Sequence, residues 1–170
     1  MKKADIAVGR FYTDGKGGLR EVLAEGPQYK LYQGVADEDC LRYKSYVSAG
    51  GLEAGSENNS TRVSFASWAK VEIPAERVEQ WLVDRQAVSV AKKLTAPQRA
   101  FLSAFDHDLN LTSHISCSRE ELRAAKACRD KGLVAEMPDT LQKGIDDFEL
   151  TFTMLGIAVL KRVHETSEAS

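Results

Sequence analysis

LTAPQRAFLSAF (94–105), SREELRAAKACRDKGLVAEM (118–137) and FELTFTMLGIAVLKRV (148–163) are three blocks of one stretch, Leu94 to Val163. Their order decides how the chain is read. Thr95 is a helix N-cap, with Pro97 two positions on and Gln98 at the capping-box position. Phe101, Leu102 and Phe105 make the buried stripe of that first helix. Ser118 caps a second helix, with Glu121 as its box partner, and Gly132 ends it as a C′ residue. Leu133-Val134-Ala135 and Phe148–Phe152 read as strands, and Leu155–Leu160 as a closing helix. The polar segment from Asp106 to Cys117 reads as a loop or a single helical turn. The order is helix, gap, helix, strand, loop, strand, helix.

On the Ser118 helix, Ala124, Ala125 and Cys128 are small and lie toward one side. Arg119, Arg123 and Lys126 lie opposite, spaced i, i+4 and i+7, with Arg129 beside them. That stripe is either an anion-contacting face or a solvated one with local pairs such as Glu120 to Arg123. The loop between the two strands, Pro138 to Asp147, is acidic with its flanks. Glu136, Asp139, Asp146, Asp147 and Glu149 stand there against one Lys143.

The element order resembles that of winged helix-turn-helix domains. "GLV" at 132–134 is similar to the strand that follows their recognition helix, and Leu155–Leu160 resembles the helix after "LT..G". The resemblance covers residues 94 to about 163. It implies that Arg119, Arg123, Lys126 and Arg129 face the major groove of duplex DNA. An acidic wing opposes approach to phosphates. Winged helices also serve protein contacts, and for those Glu136, Asp139, Asp146 and Asp147 are the candidate residues.

Upstream, short apolar runs alternate with turn signals. Ile6–Tyr12 precedes Asp14-Gly15 and Gly17-Gly18, Leu19–Ala24 precedes Gly26-Pro27, and Tyr29–Tyr32 precedes Gly34. Residues 1–73 therefore read as a small bent sheet resembling an SH3-like barrel. In the run 41–47, Leu41, Tyr43 and Val47 share one face; Arg42, Lys44 and Tyr46 share the other. The second face is a solvated outer face of a sheet or a secondary nucleic-acid surface combining stacking and charge. Residues 48–61 read as a polar mobile loop, and RVSFASWAKVEI (62–73) as a strand or a strand running into a helical turn.

A connecting helix is expected over 74–93, opened by Pro74. Its stripe, Val78, Trp81, Leu82, Arg85 and Val88, is expected to pack between the two parts or against the same helix of a second chain. A winged-helix-like domain over 94–165 and a flexible tail at 166–170 complete the division. The fold class is α+β.

The chain has 170 residues, 43% hydrophobic and 28% charged, with net charge −2. That composition is globular and lacks the basic excess of a dedicated non-specific DNA binder. No apolar run is long enough to span a bilayer, and MKKADIAVGRFY is no secretory signal. Cys40, Cys117 and Cys128 are odd in number and widely spaced, which suits reduced cytoplasmic thiols. His107, His114, Cys117 and Cys128 provide only one close pair, short of a structural zinc site. Asp106-His107-Asp108 reads as solvated loop. Gly15, Gly17 and Gly18 lack phosphate-loop spacing, and no hydrolase, zincin or kinase motif occurs. The expectation is a non-enzymatic regulator that binds duplex DNA as a homodimer without cofactor or metal. The alternative is a protein-binding adaptor or inhibitor of a nucleic-acid-processing or defence complex.

Overall fold

A computed structural model of the chain describes residues 1–32, 38–47 and 54–168. It divides into two compact units, Met1–Glu79 and Gln80–Ser170. The class is α+β.

The first unit holds β1 (Phe11–Thr13), β2 (Leu19–Glu25), β3 (Cys40–Val47), β4 (Glu57–Thr61), helix α1 (Arg62–Trp68) and β5 (Val71–Ile73). All neighbours pair antiparallel in the order β4-β3-β2-β1-β5. Register shifts at Leu19/Arg20 and Val22/Ala24 interrupt the β2–β3 ladder. Such irregularities bend a strand and increase its twist. The sheet is bent but not a closed barrel: among the described residues β4 and β5 are its edges. Tyr12, Val22, Leu41 and Phe65 are buried at its centre. Arg20 lies between two rings of this unit, 4.0 Å from the Trp68 centroid and 4.6 Å from that of Tyr43.

Three local expectations are corrected here. Tyr29–Tyr32 supplies no strand; Pro27–Tyr29 forms a 3-10 turn, started by the fixed φ of Pro27. Within the polar run 48–61, Glu57–Thr61 is a strand paired along β3, while residues 48–53 lie outside the described set. Backbone pairing needs no apolar side chains on a strand that lies at a sheet edge. In 62–73 the helix comes first and the strand second. Thr61 accepts a hydrogen bond from the Ser64 amide and caps α1. Helical spacing then buries Phe65, Ala66 and Ala69 together and leaves Val63 exposed. The apolar residues at alternate positions here also fit a helix, and the cap decides between the two.

The second unit holds α2 (Val78–Lys92) from Gln80 onward, α3 (Ala96–Ser103), β6 (Ile115–Ser118), α4 (Leu122–Arg129), β7 (Val134–Glu136), β8 (Asp147–Phe152) and α5 (Met154–Glu168). Its antiparallel sheet runs β6-β8-β7. The Thr95–Gln98 capping box is present, and the buried Gln98 side chain also donates to the Ala127 carbonyl at 2.9 Å. One residue thus starts α3 and fastens it to α4. Leu102, Leu133, Leu150, Phe152, Val159 and Val163 form the core between the sheet and helices. The segment before α4 contributes β6, a strand the sequence did not announce. The helix α5 continues to Glu168.

The core-facing side of α2 carries other residues than the expected stripe. Ala87 is its buried residue, flanked by Val83, Val90 and Ala91. Val88, from the expected apolar stripe, is 38% exposed. Alanine and valine let α2 lie close to the core, and of the expected stripe Val78, Trp81, Leu82 and Arg85 are half-buried.

Gly156 shows how close that packing is elsewhere. A Cβ built on it would lie 1.9 Å from the Leu133 carbonyl oxygen. With a glycine at 156, α5 can cross the start of β7.

Candidate functional site

The four cations expected on one helix face do not share one environment. Ser118 caps a 3-10 turn, Arg119–Glu121, and α4 starts only at Leu122. Arg119 therefore lies before α4 and turns to the β7–β8 loop. Its Nε donates to the Ile145 carbonyl at 3.0 Å, and its guanidinium also reaches the Gln142 carbonyl and, at 3.5 Å, Asp146. Arg129, at the end of α4, pairs with Asp139 of the same loop at 2.8 Å. Two of the four cations are thus neutralised within the unit. Arg123 is exposed and Lys126 half-buried, and neither has an ion pair among the described residues.

The acids divide in the same way. Asp139 and Asp146 face Arg129 and Arg119, while Glu136 and Asp147 remain exposed. Glu149 faces His114 at 3.8 Å. Beside them is a groove of about 370 Å³ with Glu136, Met137, Pro138, Glu149 and His114 in its walls. The strand register explains this grouping. Glu136 stands opposite Thr151 across β7–β8, and Ser116 opposite Glu149 across β6–β8. Ile145, in the loop that Arg119 holds, is 49% exposed. The surface combines Glu136 and Asp147, which have no ion pair among the described residues, with Met137, Pro138 and Ile145. His114, Met137 and Pro138 were not singled out for it from sequence; only pairing of β6 and β7 with β8 brings them there.

The expected secondary surface on β3 exists as a face, but its charges are occupied. Arg42 pairs with Glu57 of β4 at 2.6 Å. The Tyr46 hydroxyl donates to Glu21 at 2.7 Å, and its ring lies 5.7 Å from that of Phe11. Lys44 Nζ sits 5.2 Å from the Tyr46 ring centroid. The hydrogen bond to Glu21 is the main reason the Tyr46 pKa is pushed up to about 12.

A second concave surface lies on α2, α3 and α5. Trp81, Asp84, Arg85, Val88, Lys92 and Arg162 line a groove of about 610 Å³. It continues past Val88, Lys92 and Arg162 into a hollow of about 220 Å³ that adds Arg99 and Glu165. The sequence reading placed Trp81, Arg85 and Val88 on a stripe packing between the two parts or against a second chain; they line this groove.

Cys40, Cys117 and Cys128 are buried free thiols. Burial pushes Cys117 and Cys128 up to about 11, the reverse of what a nucleophile or metal ligand needs. Among the described residues no helix is long and apolar enough to cross a membrane, and no group of His, Cys, Asp and Glu could hold a metal ion.

No protein family, no curated protein and no solved structure matches the chain.

Proposed function

We propose that the chain is a non-catalytic adaptor whose second unit, a winged-helix-like scaffold, recognises a protein through the β7–β8 loop and the groove beside it. The element order α3, β6, α4, β7, β8, α5 with the sheet β6-β8-β7 supports that reading of the scaffold. The strand order and bent ladder of the first unit support an SH3-like relationship there.

One observation carries the choice of a protein over DNA. Arg119 and Arg129 are turned onto an acidic loop, so the face expected to meet phosphates is partly neutralised from within. Unpaired cations supply most of the affinity for a phosphate backbone. Glu136, Asp147, Glu149 and Ile145 are exposed near the loop, with Lys143 the one cation exposed within it. Acids around a small apolar patch suit a partner with a basic rim and an apolar anchor.

The test is capture of partners by the immobilised chain at low and high salt. Glu136→Lys with Asp147→Lys, and separately Ile145→Glu, should abolish capture of the same species. Capture that survives both substitutions would end this reading.

Duplex DNA is the second reading, favoured by Arg123 and Lys126, which have no ion pair among the described residues. Fluorescence anisotropy with a random duplex at about 50 and 200 mM salt separates the two, since phosphate contacts give a steep salt slope. Steep binding lost in Arg123→Ala with Lys126→Ala would replace the adaptor reading with the DNA reading. Homodimer formation is tested in the same samples by light scattering.

A further inference from the structure

We infer that the groove on α2, α3 and α5 is a binding site for single-stranded nucleic acid, separate from both α4 and the acidic loop. The unit's charges are unevenly placed. Around the β7–β8 loop, cations are cancelled by Asp139 and Asp146. Along the groove the balance reverses: Arg85, Lys92, Arg99 and Arg162 face only Asp84 and Glu165. Glu165 pairs with Arg162 at 2.8 Å, and one Arg99 nitrogen donates to the Ala91 carbonyl at 2.9 Å. Asp84 accepts from Gln80 at 2.8 Å. Arg85 and Lys92 have no ion pair among the described residues, so the groove keeps a positive excess on a chain of net charge −2. A polyanion is the complementary occupant.

Trp81 narrows the class of polyanion. It is half-buried and lines the groove, on the same side of α2 as Arg85, Val88 and Lys92. The spacing 81, 85, 88, 92 is i, i+4, i+7, i+11, a continuous stripe on one helix face. Eleven residues of helix rise by about 17 Å, the length of two or three nucleotides of extended strand. An aromatic ring at one end and cations along the rest is the arrangement that stacks a base and follows a backbone. In a duplex the base faces are stacked on one another and closed to Trp81. An acidic peptide would use the cations but has no base to lay on the indole.

Anisotropy of a fluorescein-labelled 15-mer of deoxythymidine, with the full chain at about 50 mM salt, tests this. The strand should bind more tightly than a duplex of equal length. Trp81→Ala should weaken binding about tenfold or more, and Trp81→Phe by less, because a smaller ring still stacks. Arg85→Ala with Lys92→Ala should weaken binding and flatten the salt slope by about 1.4, two phosphates at about 0.7 each for a single strand. Arg123→Ala with Lys126→Ala should bind as the parent does. Circular dichroism confirms that each variant is folded, and Trp81→Phe serves if Trp81→Ala is not. Absence of strand binding would overturn the proposal. So would equal binding of the duplex, insensitivity to the three groove residues, or equal competition by poly-glutamate, which would make the groove a seat for an acidic protein segment.

Discussion

Arg119 donates through Nε to the Ile145 carbonyl at 3.0 Å, so a side chain expected to point at a ligand instead holds the β7–β8 loop from its base. The same guanidinium reaches the Gln142 carbonyl, and the Arg119 amide donates to the Asp146 carbonyl. The preceding 3-10 turn is what aims it there. An arginine one turn further on, in α4, would have faced outward as Arg123 does.

Arg119→Ala should loosen the loop without unfolding α4. These bonds are partly exposed, so their net worth is about 1 kcal/mol. Amide exchange in residues 137–146 should rise roughly fivefold, with exchange in 122–129 unchanged. Unaltered loop protection would show that the backbone bonds alone suffice.

Gly156→Ala should destabilise the second unit, because the new methyl would meet the Leu133 carbonyl rather than a movable side chain. Overpacking of this kind costs about 1–3 kcal/mol. That exceeds the gain of roughly 0.5–1 kcal/mol from replacing a helical glycine by alanine. Urea unfolding of the two proteins measures the difference, and a neutral or stabilising result would contradict the close crossing of α5 and β7.

Asp39 should make the first unit acid-sensitive. Arg62 donates from Nε to Asp39 at 2.6 Å and also engages Glu25 and the Ile6 carbonyl. The hydrogen bond from Arg62 is the main cause holding the Asp39 carboxyl below its ordinary range. The folded pKa is therefore lower than the unfolded one. Its contribution is present above about pH 4 and is lost as pH falls through the folded value. Asp39→Asn should be less stable than the parent at neutral pH, and the gap should close in acid. A gap independent of pH would assign the effect to packing.

All three thiols should resist alkylation in the native protein. Each is buried, and Cys117 and Cys128 are raised to about 11 chiefly by desolvation. The thiolate is the reactive form, so labelling at pH 8 should follow unfolding rather than thiol chemistry. Rapid native labelling of Cys128 would mean that α4 opens readily from the core.

The α+β class, the Thr95-capped α3, the turn that Ser118 starts ahead of α4 and the start of α5 were legible because each rests on local chemistry. Thr95 with Gln98 and Ser118 with Glu121 act within one turn, and Gly132 takes its left-handed φ of 74° at its own position. The acidic character of 136–149 was legible for the same reason, since charge needs no fold to be read. Strand pairing is not local. Ser60 and Asn58 join a sheet because β3 offers them partners, and β6 exists because β8 lies beside it. Helix faces were also ambiguous. On α2 both Ala87 and Val88 fit an apolar stripe, and the rest of the core decided that Ala87 is buried. The identities of the charged residues were set by the chain; which of them remain unpaired was not. Arg119 and Arg129 met Asp146 and Asp139 only when the β7–β8 loop folded back, whereas Arg85 and Lys92 have no ion pair among the described residues. Periodicity and capping act over a few residues and can be read along a line. Pairing of charges and choice of buried face depend on residues far apart in sequence, and only the tertiary structure brings those together.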